Sequence, residues 1–169
     1  HSVSIDPKMA GDLVYLLGET KDELGASEYY DHMGHLGDNV PETDDVRNYT
    51  LYKKLSAVNK LQLCASAIPV IFGGVGVALA KKAIAGNLGM NIQLSGNLRL
   101  DKLMYSESQG RIIVTVAPQN KDAFEKAMSG YDFVEQIGTV TDKEVLSINN
   151  FDVNISDLEK SYKETLGGY

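Results

Sequence analysis

The chain has 169 residues, 43% hydrophobic and 23% charged, which suits one domain able to bury a core without metal or disulfide support. Its net charge of -7 and pI near 4.9 repel phosphate backbones, so no nucleic-acid footprint and no anionic-membrane surface is expected. The lone cysteine, Cys64 between Leu63 and Ala65, excludes an intrachain disulfide and reads as a small buried residue in a reducing, cytoplasmic setting.

No basic segment followed by an apolar stretch opens the chain, so no signal peptide is expected, and His1-Ser2 reads as a tag remnant. Leu13 to Leu17 (LVYLL) is a short apolar run that predicts a buried strand. Thr20-Lys-Asp-Glu23 has capping-box spacing and marks a turn or helix start. Residues 34–45, rich in Gly, Pro, Asn and acids, predict a surface loop. Val46, Tyr49, Tyr52, Leu55 and Val58 recur at helical spacing and predict a helix to Lys60, with Lys53 and Lys54 on another face.

Leu63 to Ala80 runs 18 residues without a charge, a length that suggests a membrane span. Pro69, Gly73, Gly74 and Gly76 would break such a helix, so the span reads as a strand over 61–70, a turn, and a buried helix over 73–85. Asn91 to Ser95 and Arg111 to Ala117 alternate as strands do. Pro118 to Gly130 predicts a helix with Phe124, Ala127 and Met128 inward. Residues 133–140 and 145–148 predict a strand pair around the Thr141-Asp142-Lys143 turn. A last helix over 156–166 has a Ser156/Glu159 capping box and a face of Leu158, Tyr162 and Leu166. The irregular alternation predicts a single layered α/β (α+β) domain with a mixed sheet, without repeats or linkers.

Three stretches gather groups able to bind a ligand. Phe72-Gly-Gly-Val-Gly-Val at a strand-to-helix junction offers backbone N–H groups of Gly73 and Gly74 to a phosphate. It lacks the P-loop Lys-Ser/Thr and the dinucleotide spacing, and tight helix–sheet packing is the favoured reading. Ser106-Glu-Ser-Gln-Gly-Arg111 collects hydroxyl, carboxylate, amide and guanidinium groups at a strand entrance, suited to ribose and phosphate. A polar turn closed by a Glu107–Arg111 pair explains it equally well. Gly25-Ala-Ser-Glu-Tyr-Tyr30 reads as a helix start with Tyr29 or Tyr30 inward, or as a turn presenting Ser27 to a ligand. His32 and His35 near Asp31 and Asp38 have chelating spacing, but Gly34 and Gly37 favour a solvated loop, and no metal site is expected. No Ser/His/Asp or Cys/His set stands out.

Taken in order, Gly11 to Tyr29 (GDLVYLLGETKDELGASEY), Gly73 to Ala80 (GGVGVALA), Ala83 to Gly89 (AIAGNLG), Ser106 to Arg111 (SESQGR) and Ile137 to Thr141 (IGTVT) resemble the last domain of the phosphoribosylformylglycinamidine synthase family. The resemblance covers nearly the whole chain. It implies a fold like the C-terminal domain of aminoimidazole ribonucleotide synthase, in a subunit built of two pseudo-repeats. The implied reaction uses ATP and Mg²⁺ to activate the formyl amide oxygen of formylglycinamide ribonucleotide, which ammonia from a glutaminase subunit then converts to the amidine. Upstream domains of the polypeptide, the glutaminase and a small accessory subunit are the implied partners.

The family's catalytic histidines and most ATP and metal ligands lie upstream, so the resemblance carries over no catalytic residue, and no tightly bound cofactor is expected of this chain alone. Glu107, Ser108 and Gln109 would be counterparts of a substrate-contacting triplet, with Arg111, Gly73, Gly74 and Ser27 as further candidates. One departure is Ile68-Pro-Val-Ile-Phe72, where the family often has His-Asp-Val-Ser-Glu. It favours a rival reading, a non-catalytic scaffold domain that closes the pseudo-dimer and docks the glutaminase. A related kinase-like or maturation protein is a third. Separated from its pseudo-dimer, the domain is expected to expose apolar surface and form a homodimer.

Overall fold

The structure, a computed structural model, describes residues 2–164. His1 and the last two residues of the expected final helix, Thr165 and Leu166, lie outside that range. Strands β1 (Leu13–Leu17), β2 (Ser66–Val70), β3 (Gly89–Ile92), β4 (Arg111–Val116), β5 (Val134–Thr141), β6 (Val145–Ile148) and β7 (Phe151–Asn154) form one sheet in the order β2-β4-β1-β5-β3-β6-β7. The β3–β6 pair is parallel and the other pairs are antiparallel. Helices are α1 (Glu28–His32), α2 (Asp45–Lys60), α3 (Gly74–Gly86), α4 (Leu100–Tyr105), α5 (Lys121–Met128) and α6 (Ile155–Glu164). This is the expected mixed-sheet α+β domain.

Alternation along the strands sends side chains to two cores. Val14, Leu16, Ile68, Val70 and Ile113 join Val75, Ala78, Leu79 and Ala83 of α3 on one face. Tyr15, Leu17, Ile112, Val114 and Val116 join Leu51, Leu55 and Val58 of α2 and Phe124 and Met128 of α5 on the other. With helices over both faces, β4 is buried along its whole length, which its RIIVTV sequence suits. No helix among the described residues is long and apolar enough to cross a membrane.

Several expectations need correction. β5 and β6 do not pair around residues 141–143, because β3 lies between them. Gly89 and Gly138 allow this: a Cβ on Gly89 would strike the carbonyl oxygens of Lys143 and Val145, and one on Gly138 that of Asn91. β2 starts at Ser66, after a turn at residues 61–65, and β3 ends at Ile92. On α2, Val46, Tyr49 and Tyr52 are exposed and Leu51 takes the inward place. α6 starts at Ile155, which puts Ser156 inside its first turn, and Tyr162 is exposed. Helix α4 and strand β7, both short and polar-flanked, have no counterpart in the periodicity.

Candidate functional site

The sheet register explains why three distant stretches meet. Leu17 pairs with Ile112 and Val70 with Arg111, so the exits of β1 and β2 lie beside the entrance of β4. The segment after β1, the β2–α3 turn and the α4–β4 turn therefore share one end of the sheet. Gly18 keeps them close, since a Cβ there would stand 2.6 Å from the Gly110 oxygen.

Glu107 ties these segments together. It is 7% exposed, and its Oε1 accepts from the amide of Gly73 at 2.8 Å and from that of Glu28 at 3.0 Å. Gly73 is the N-cap of α3, with φ of 78°, and Glu28 is the first residue of α1. Both amides belong to helix starts, where unpaired N–H groups favour an anion. Ser27 caps α1 by accepting from the Tyr30 amide at 3.2 Å and donates to the Leu24 carbonyl at 2.7 Å. Tyr29 of α1 stacks on Tyr105 of α4 at 4.6 Å, and neither ring is fully buried.

Arg111 does not pair with Glu107. Its guanidinium donates to the Ser108 carbonyl at 3.0 Å, to Thr20 Oγ1 at 2.9 Å and to the Ser106 carbonyl. It is 1% exposed, and burial lowers its pKa to about 10, with Glu23 and Glu107 acting in the opposite sense. Ser108 Oγ accepts from the Lys21 amide at 3.0 Å, and Ser106 Oγ from the Glu23 amide at 3.4 Å. These bonds hold residues 20–23 as a turn, so no helix starts there. Glu23 Oε1 accepts from the Glu42 amide, which draws the 34–44 loop over the knot, while its Oε2 is buried without a hydrogen-bond partner among the described residues.

Of the seven residues singled out from sequence, the structure gathers all at this knot but exposes only Gln109, whose Nε2 donates to the Glu107 carbonyl at 3.3 Å. Gly74 serves packing, since a Cβ there would lie 2.5 Å from the Met104 oxygen and 2.7 Å from that of Ser106. The start of α3 does not fit a phosphate: the Gly73 amide is taken by a carboxylate, and the Gly74 amide donates to the Ile71 carbonyl at 2.9 Å. Ile71 and Phe72 beside it are 52% and 67% exposed. His32 ends α1 and His35 packs edge-on against Tyr30. No group of three or more His, Cys, Asp or Glu is placed to hold a metal among the described residues.

Two openings flank the Gly18–Thr20 turn. A polar recess of about 10 Å³ between Gln109, Lys21, Arg47 and Tyr131 has room for about one water. A cleft of about 280 Å³ lies on the other side, floored by Leu16, Leu94 and Leu103 and rimmed by Thr20, Ser95 and Glu135. The cleft and the buried Glu23 were not foreseen. Glu23 was visible only as the end of a capping box, and nothing in the sequence brings loop 94–98 beside β1.

Residues 9–149 match the family described as "AIR synthase related protein, C-terminal domain". The phosphoribosylformylglycinamidine synthase subunit PurL of Methanocaldococcus jannaschii is 35% identical over 162 residues, 91% of this chain and 22% of its own length. That of Lactobacillus acidophilus is 37% identical over 175 aligned residues, 98% of this chain and 22% of its own length. The chain thus spans about a fifth of the relatives it matches. Among solved structures, Thermotoga maritima PurL complexed with FGAR shares the fold with a TM-score of 0.79 at 19% identity, covering 92% of this chain and 29% of that one.

Proposed function

The chain belongs to the family of AIR synthase related proteins, as their C-terminal domain, and from that premise we propose that it works as one domain of a phosphoribosylformylglycinamidine synthase. In this reading the whole enzyme is a cytoplasmic, ATP-dependent ligase of purine biosynthesis that converts formylglycinamide ribonucleotide to formylglycinamidine ribonucleotide. The observation that carries it is the likeness to two named synthase subunits along almost the entire chain. Both relatives are named as subunits, which agrees with a glutaminase and a small accessory subunit as partners beside the upstream domains.

The domain's own part is to brace and present, not to catalyse. Glu107, Arg111, Ser108 and Ser27 are spent on one another's loops and on helix starts, and Gly73 and Gly74 on close packing. Gln109 is the residue left facing outward for a substrate contact. Glu107 at the start of α3 takes the place a phosphate would need there, which supports ATP and Mg²⁺ being held chiefly by the upstream domains. The exposed Ile71 and Phe72 support the second reading, a scaffold surface for neighbouring domains or the glutaminase.

The test is ammonia-dependent ADP release from MgATP and formylglycinamide ribonucleotide by the polypeptide that carries these residues, with and without them. Turnover that needs the nucleotide substrate and is lost on deletion supports the synthase. An intact polypeptide that never turns over this substrate refutes it.

A further inference from the structure

Helix α2 carries two apolar stripes, and the fold uses one. Leu51, Leu55 and Val58 are buried against the sheet, whereas Val46, Tyr49 and Tyr52 are 78%, 63% and 50% exposed. At about 100° per residue the second stripe lies on the opposite side of the helix. Three large apolar side chains at i, i+3 and i+6 on a solvent face form a packing surface without a partner among the described residues.

Charge runs along that stripe in a definite order. Asp45 stands at the N-terminal end, and Lys53 and Lys60 lie toward the C-terminal end, with Lys53 Nζ 5.2 Å from the centre of the Tyr49 ring. None of the three forms an ion pair among the described residues. The helix's other cations are engaged within the fold: Arg47 pairs with Glu19, and Lys54 donates to the Ser129 carbonyl. Beside the stripe, Tyr52, Leu55, Ser56, Asn59 and Lys60 line an open groove of about 310 Å³. In its lining, Asn59 Oδ1 is a buried acceptor without a hydrogen-bond partner among the described residues.

We propose that this face of α2 packs against α2 of a second copy, antiparallel, about a two-fold axis near Tyr49. Asp45 and Lys53 lie four residues to either side of Tyr49, roughly 6 Å along the helix. Antiparallel pairing therefore sets Asp45 of each copy level with Lys53 of the other and opposes the helix dipoles. Parallel pairing would set like charges abreast, so the charge order selects the antiparallel arrangement, which a two-fold axis across the helices closes as an isologous dimer. The two stripes bury on the order of 1,000 Å² in total, the size of weak, transient contacts, so association is expected only at high micromolar concentrations.

Sedimentation velocity of the chain from about 5 to 500 μM tests this, with circular dichroism to confirm that each variant folds. The unmodified chain shifts from monomer to dimer across that range, and Tyr49→Glu stays monomeric. Asp45→Lys alone and Lys53→Asp alone each weaken association by about 10-fold or more, and the charge-swapped double variant restores it to within about 3-fold. A monomer throughout, a dimer indifferent to Tyr49→Glu, or a double variant as weak as the singles overturns the proposal.

Discussion

The carboxylate of Glu107 stands 2.8 Å from the amide nitrogen of Gly73, so a buried anion of the chain itself occupies the start of α3. The same oxygen accepts from Glu28, and removing it leaves two amides at helix starts without their acceptor. Glu107→Ala is expected to cost about 3 kcal/mol in urea unfolding. Glu107→Gln, which keeps a carbonyl oxygen in place, should cost about 1 kcal/mol. Equal losses in the two variants would show that the oxygen does not clamp these helices.

Gly74 follows in the same turn, and its φ of 66° already disfavours a side chain. A methyl group there would also press on the Met104 and Ser106 carbonyls at 2.5 and 2.7 Å, both of them backbone atoms that cannot swing away. Gly74→Ala should therefore destabilise by about 3 kcal/mol or more, and thermal unfolding reads it directly. A cost below about 1 kcal/mol would mean that α3 and α4 are not in this contact.

Gln109 is the outward member of the cluster, and truncating it separates bracing from binding. Gln109→Ala should leave unfolding free energy within about 0.5 kcal/mol. If the chain works in the proposed synthase with Gln109 against the substrate, the variant should raise the KM for formylglycinamide ribonucleotide by roughly 3- to 10-fold, the loss of one hydrogen bond. A stability loss like that of Glu107→Ala would instead assign Gln109 to the knot.

How much of this was legible depended on whether the deciding contact was local. β1, β4 and α3 announce themselves because their runs are apolar and bounded by turn residues. The insertion of β3 between β5 and β6 rests on close backbone approach at Gly89 and Gly138, and a glycine does not say what approaches it. On α2, two apolar stripes fit the same helical period, and periodicity cannot tell which one meets the sheet. The three polar stretches were recognisable as a set of candidates. Their bonding was not, because Glu107 and Arg111 choose backbone amides and carbonyls over each other, and those partners have no letter in the sequence.

The far side of the same strands gives a prediction about pH. Lys82 of α3 is fully buried, and its Nζ donates to Ser66 Oγ at 2.5 Å and to the Ile5 carbonyl at 2.9 Å. Asp6, Lys8, Asp12 and Cys64 are the charged and titratable groups around it, and burial brings its pKa down to about 8. The unfolded value is about 10.4, so between these limits the unfolded chain binds more protons and stability rises with pH. Burial also pushes the Cys64 thiol up to about 12, against about 8.5 unfolded, and there the sign is reversed: stability falls as pH climbs from 8.5 toward 12. The two slopes oppose each other, so the unmodified chain should change less from pH 8 to 10 than either variant below. A small fall is expected near pH 10, because burial raises the pKa of Tyr15, Tyr105 and Tyr131 in the folded chain. Cys64→Ala removes the falling term and should gain on the order of 1–2 kcal/mol over that interval relative to its own value at pH 8. Lys82→Met removes the rising term and should lose a similar amount. Urea midpoints at pH 8, 9 and 10 decide it. Parallel profiles for all three proteins would mean that neither group titrates differently on folding.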